Sequence, residues 1–139
     1  MAYWLLKTEP ETWSWEMQVK RGARGEAWSG VRNHVAKNNL IKMTKGDAAF
    51  FYHSGKTKEI VGIVTVIREA YPDPTDETGK FVAVTVKAEQ PMKLPVTLDA
   101  IKSDARLGDM ILVNNSRLSV QPVTPAEWKL VCSLGKVRG

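Results

Sequence analysis

The chain has one cysteine, Cys132, and two histidines, His34 and His53. A lone cysteine forms neither an internal disulfide nor a multi-cysteine zinc site. Long apolar runs are also missing. Nothing approaches the roughly 18 residues of a membrane helix, and "YWLL" near the start is soon followed by Lys7 and Glu9. No segment reads as a signal peptide. These absences predict a cytoplasmic protein, or a nuclear one in a eukaryotic cell, with no membrane partner. The stretch "SGKT" at 54–57 resembles the end of a phosphate loop, but the glycine required five residues before Gly55 is replaced by Phe50. The two histidines fall in different predicted elements. Asp47 and Glu59, the acids nearest His53, do not stand at metal-ligand spacing, so no metal and no cofactor is predicted. His53 and Ser54 are neighbours on a predicted strand and point to opposite faces. There is no G-x-S-x-G elbow, and no pair of acids is set apart for proton transfer. No catalytic residue is predicted, and the chain is read as a non-enzyme.

What is present is a core and a concentrated charge. With 139 residues, 43% of them apolar, the chain suffices for one domain over residues 1–139. The net charge is +5. Between Lys20 and Lys45 stand seven basic residues against Glu26 alone, while the remainder carries thirteen basic and fourteen acidic residues. One segment thus holds the whole positive surplus, and concentrated positive charge attracts phosphate backbones. Arg21, Arg24, Arg32 and Lys37 are its candidate phosphate contacts. A solvated basic face with no partner is the plainer reading.

The pattern predicts strands over Tyr3–Thr8, "DAAFFYHS", "EIVGIVTVI" (buried on both sides), "FVAVTVKA", "DMILVN" and "RLSVQPV". Helices are predicted around Ser14–Arg21, over "GVRNHVAKNNLIKM", after Thr97, and from Thr124, where Pro125 and Glu127 complete a capping box. The prolines of "YPDPT" end a strand. The fold class is α+β: a small mixed β-barrel of five to six short strands with flanking short helices.

Four of the five tryptophans, Trp4, Trp13, Trp15 and Trp28, fall in the first 28 residues. Aromatic rings among basic residues suit single-stranded or flipped bases, the rings stacking while cations hold phosphates. Trp4 on a strand and Trp13 at a helix start read as core. Trp28, between glycines in the basic segment, reads as a site residue. Asn33 and Asn39 on the second helix have amides that suit a base edge, whereas Asn38 reads as surface. Tyr52, His53 and Ser54 end a strand where a barrel mouth would lie. Arg117 and Ser119 share a strand face, and Arg117 serves there as a phosphate clamp or as a surface ion pair.

Six stretches, "YWLLKTEPETWSW", "WSGVRNHVAKNNL", "GDAAFFYHSGKTKEIVGI", "AYPDPT", "PVTLDAIK" and "RLSVQPVTPAEW", run in order from residue 3 to residue 128. Together they resemble the EVE domain family, which includes the thymocyte nuclear protein group. The resemblance implies a PUA-like barrel related to the YTH domains, whose aromatic cage holds a methylated base. It implies binding of nucleic acid with a modified base, chiefly modified cytosine in DNA. Trp28, with Ser29 beside it, matches the tryptophan that forms a cage wall. Lys7 and Thr8 stand where a Lys-Ser pair is usual. Tyr52, His53 and Ser54 match the strand that floors the pocket, and Trp15 is taken as the second wall. The chain is read as a monomer or weak homodimer. Two other classes stay open: an RNA- or nucleotide-modifying enzyme or RNA-binding accessory module, and a small-molecule or protein-binding module.

Overall fold

A computed structural model describes residues 1–139. Its centre is a six-stranded mixed sheet: β1 (Tyr3–Thr8), β2 (Glu26–Ala27), β3 (Ala48–His53), β4 (Glu59–Pro72), β5 (Val82–Thr97) and β6 (Val120–Val123), in the order β2-β5-β4-β3-β1-β6. β1 runs parallel to β3 and antiparallel to β6. Five helices surround the sheet: α1 (Trp15–Lys20), α2 (His34–Lys42), α3 (Leu98–Lys102), α4 (Ile111–Asn114) and α5 (Pro125–Leu134). None is long and apolar enough to cross a membrane.

Alternation along the strands divides the core in two. In β1 and β3, Trp4, Leu6, Ala49 and Phe51 face one cluster of sixteen buried residues. Leu5, Phe50 and Tyr52 face another of fifteen. Four register shifts between β4 and β5 bend this hairpin and re-aim its side chains. Ile60 and Ile63 therefore serve the second core, while Val64 and Val66 serve the first. α5 closes the second core, with Trp128 stacked 3.9 Å from Phe50 and 4.5 Å from Tyr3, centroid to centroid. Burial pushes the Cys132 thiol up to about 11, so it stays neutral and packs as a small apolar group.

The predicted cap at Thr97 is present, its hydroxyl accepting from the Ala100 N–H. Ser14 accepts from the Met17 N–H, and Asn33, read above as a base-edge amide within the second helix, instead caps it by accepting from the Ala36 N–H. Thr124 and Glu127 complete their reciprocal box. Two predicted elements differ. "DMILVN" is not a strand: Ile111–Asn114 forms the short helix α4, and the Asn114 amide folds back onto the carbonyls of Gly108 and Met110. Four consecutive apolar residues suit a strand or a buried helical turn equally. In "RLSVQPV" only Val120–Val123 pairs as a strand, and Arg117 sits in the turn before it. The strands are also not all short, since β4 has 14 residues and β5 has 16.

Candidate functional site

The sheet does not pair its outer strands, β2 and β6, with each other. A cleft of about 440 Å³ opens between β2 with its following loop on one side and the ends of β1 and the approach to β6 on the other. That volume lies within the roughly 300–1,000 Å³ of small-molecule pockets. α2 packs beside it, tied to β6 by the Asn39 amide, which donates to the Val120 carbonyl at 2.8 Å.

Of the predicted site residues, the fold brings Lys7, Trp28, Ser29, Arg32, Asn33 and Ser119 to the cleft. Trp28 extends the β2 ladder by donating its N–H to the Val84 carbonyl at 2.7 Å, and its ring meets Phe51 edge-on at 5.6 Å. It is only 7% exposed, so it offers the cleft a strip of indole backed by core, not a free face. Lys7 donates to the Ser116 carbonyl at 2.6 Å and lies 5.7 Å from the Tyr52 ring. It takes part in none of the three ion pairs, and burial lowers its pKa. A half-buried ammonium without a carboxylate partner is suited to an acceptor brought by a ligand.

The loop from Trp28 to Asn33 is held by Asp73, whose side chain is fully buried. Its carboxylate accepts from the Gly30 N–H at 2.8 Å, from Arg32 at 3.1 Å, and from the Thr75 N–H and hydroxyl, both at 2.7 Å. Burial alone would raise its pKa, but the hydrogen bonds from Thr75, Gly30 and Arg32 together win and lower it. Gly30 adopts φ +83°, a left-handed conformation that glycine takes without strain.

The remaining candidates lie elsewhere. Trp15 is 8% exposed and fills the first core, edge-on to Phe51 at 5.2 Å and flat against Gly62. Gly62 makes this niche, for a Cβ there would fall 2.5 Å from the Trp15 ring. His53 is buried on the same side, and its Nε2 accepts the Trp15 backbone N–H at 3.1 Å. Burial lowers the His53 pKa, against an opposing pull from Glu16, Glu59 and Glu11. Tyr52 faces the second core, where burial raises its pKa. Ser54 donates its N–H to the Thr8 carbonyl. None of these four lines the cleft: Trp15 and His53 are turned inward against each other, and Tyr52 lies on the other face of the sheet. Asn39 is buried and engaged by Val120. Arg117 is exposed in its turn, away from the cleft. Arg21 is tied to Glu26 and to the Gly25 carbonyl, Arg24 is exposed on a 3-10 turn, and Lys37 lies beside Phe81.

The cleft also holds residues that the sequence did not single out. Trp13, read above as core, lines it and is half-buried. Its indole N–H donates at 2.9 Å to Gln18, which is fully buried and donates in turn to the Val86 carbonyl. Thr8 donates to the Trp13 carbonyl. Trp13 is thus an oriented ring with accessible surface. Glu26 is the one carboxylate of the lining, held by Arg21 at 3.1 Å. The arrangement is aromatic surface from Trp13 and Trp28, a cation at Lys7, an acceptor at Glu26, and small hydroxyls at Ser29 and Ser119.

The model of the EVE domain matches residues 2–134. The chain belongs to the EVE domain family. This EVE domain is 62% identical to Rpa0253 from Rhodopseudomonas palustris, whose solution structure superposes with a TM-score of 0.93 over 98% of this chain and 94% of that one. It is 33% identical to human thymocyte nuclear protein 1, covering 96% of this chain and 73% of that protein. The crystal structure of human THYN1 in complex with 5-methylcytosine containing DNA is 32% identical, with a TM-score of 0.91 over 100% of both chains. The YTH domain of Zygosaccharomyces rouxii MRB1, at 19% identity and a TM-score of 0.60 over 99% of this chain and 89% of that one, shares the fold. The PUA-like α+β architecture follows from these superpositions.

Proposed function

We propose that this EVE domain is a non-catalytic reader of a modified base in nucleic acid, modified cytosine in DNA, acting as one unit over residues 1–139. The observation that carries the reading is the full-length similarity to a human chain solved with 5-methylcytosine containing DNA. In this reading the target nucleotide leaves its stack, at a cost of a few kcal/mol, and enters the cleft beside Trp13 and Trp28. Stacking offsets that cost by about 1–3 kcal/mol per base. Lys7 donates to base acceptors, and Glu26 accepts from an exocyclic amine, a pairing that suits cytosine and opposes a base with a keto group there. Asn33 spends its side-chain oxygen on the Ala36 N–H, leaving its NH₂ to donate. Arg24 and the surrounding positive charge draw in the backbone. A single carboxylate, itself paired to Arg21, provides no acid–base couple, which supports binding without turnover.

Fluorescence anisotropy with duplexes carrying cytosine, 5-methylcytosine or 5-hydroxymethylcytosine, at two salt concentrations, tests the proposal. Tighter binding to a modified duplex is expected. The preference should be about 1–3 kcal/mol for one added group, and Trp28→Ala should remove it while leaving salt-sensitive background binding. Equal affinity for all three duplexes overturns the reading.

A further inference from the structure

Beside the cleft, two loops meet around Phe81. The turn between β4 and β5 presents this ring, and Asp76 fixes its position by accepting the Phe81 N–H at 2.8 Å as well as the N–H groups of Thr78 and Lys80. From the other side, the first residue of α2, His34, lies against the ring with centroids 5.1 Å apart and planes 30° apart. Arg32 places its guanidinium 5.4 Å from the same ring, and Lys37 its ammonium at 5.9 Å. Arg32 is pinned by Asp73 and by Thr75 at 3.0 Å, yet 42% of its side chain stays exposed. Lys37 takes part in none of the ion pairs. His34 is exposed, so the ring is backed by Phe81 on one side and open on the other.

No packing requirement explains this grouping, for the cluster lies outside both buried cores. An imidazole stacked at 30° on a supporting phenyl ring is a flat platform, and an unpaired ammonium one helical turn away is an anion contact. Arg32 belongs to both places: it lines the cleft and it faces Phe81. A strand whose base entered the cleft would leave past Arg32 onto this surface.

We infer that His34, supported by Phe81, and Lys37, with Arg32 at the boundary, form a second nucleotide site that receives the nucleotide next to the one in the cleft. Its base stacks on the open face of His34, and its phosphate lies at Lys37. This rests on the base-reading proposal but makes a separate demand: the second site is indifferent to modification and contributes affinity and salt dependence, while the cleft contributes preference.

The test uses the full chain and the same labelled duplexes. The slope of log affinity against log salt and the ratio of modified to unmodified affinity are measured for wild type, Lys37→Gln, His34→Ala and His34→Phe. His34 is exposed and Lys37 half-buried, and circular dichroism checks that each variant is folded. Lys37→Gln is expected to reduce the magnitude of the salt slope by about one on every duplex. His34→Ala is expected to weaken binding roughly tenfold, and His34→Phe to restore most of it by keeping a flat ring. The ratio should not change in any of them. Unchanged slope and affinity in Lys37→Gln and His34→Ala overturn the second site. A changed ratio does so too, because it would place these residues in the cleft. An unmodified preference of one in wild type, with the variant effects intact, overturns the base reading and leaves the surface standing. Absence of nucleic-acid binding by wild type overturns both.

Discussion

The two faces of the sheet bury clusters of nearly equal size, sixteen and fifteen residues, but they are held together differently. On the α5 side, Trp128 of α5 itself stacks on both Tyr3 and Phe50. That face is filled mainly by contact and buries a single amide, Gln121, which donates to the Leu118 carbonyl at 2.7 Å. The opposite face has Trp15 and Trp28 edge-on to Phe51 and carries Gln18, Asn39 and His53 buried with directed hydrogen bonds. It also borders the cleft. A wall beside an empty space cannot be kept in place by packing from that side. A hydrogen bond to one fixed carbonyl or nitrogen sets its orientation instead. Gln18 does this for Trp13, Asn39 for the packing of α2 on β6, and Asp73 for the loop after Trp28.

If the faces are separable in this way, substitutions on them should separate stability from recognition. Trp128→Ala removes the centre of the stacked face and should cost about 3–5 kcal/mol in chemical denaturation, while the folded fraction keeps its preference among modified duplexes. Gly62→Ala should cost less, about 1–3 kcal/mol, since its Cβ displaces Trp15. It should nevertheless disturb recognition more, because Trp15 packs edge-on to Phe51, the ring that Trp28 also meets. A loss of preference in Trp128→Ala equal to that in Gly62→Ala would break the distinction.

A smaller effect separates the faces by pH. His53 is held neutral by burial, with its pKa below the ordinary 6.5. The unfolded chain therefore binds this proton first on acidification. The stability that His53 contributes is complete above its unfolded value and is lost as pH falls through the lower folded value, where protonation also removes the acceptor for the Trp15 N–H. Thermal melts from pH 8 to pH 5 should show wild type losing stability relative to His53→Gln. Parallel melting curves for the two proteins would show that this bond does not hold the cleft face.

Local chemistry made much of the fold legible. The Thr124–Pro125–Glu127 cap announced α5, apolar spacing marked α2, and alternation marked β1 and β3. The length of the β4–β5 hairpin was hidden, since β5 continues through Pro91 and Pro95, and its register shifts obscure strict alternation. At the cleft, Lys7, Trp28, Ser29, Arg32, Asn33 and Ser119 were named in advance, and all reach it. The assignment of Trp13 and Trp15 came out reversed in position: Trp15 lies in the core and Trp13 at the cleft. The two stand two residues apart, and nothing local distinguishes them. The niche that takes Trp15 is made by Gly62, and the bond that orients Trp13 by Gln18. Gly62 lies far from Trp15 in sequence, and Gln18, although near Trp13, is itself fixed by the distant Val86 carbonyl of β5.

In the proposed reading, recognition occurs at Trp13 and Trp28 and not at the stacked face. The five tryptophans of the chain give five indole N–H signals, which can be followed by two-dimensional NMR while a short duplex containing 5-methylcytosine is added. The Trp13 and Trp28 signals are expected to move with the titration, while Trp4, bonded to Asp47, and Trp128, on the buried side of α5, stay in place. Movement of Trp128 with Trp13 and Trp28 unmoved would contradict that reading.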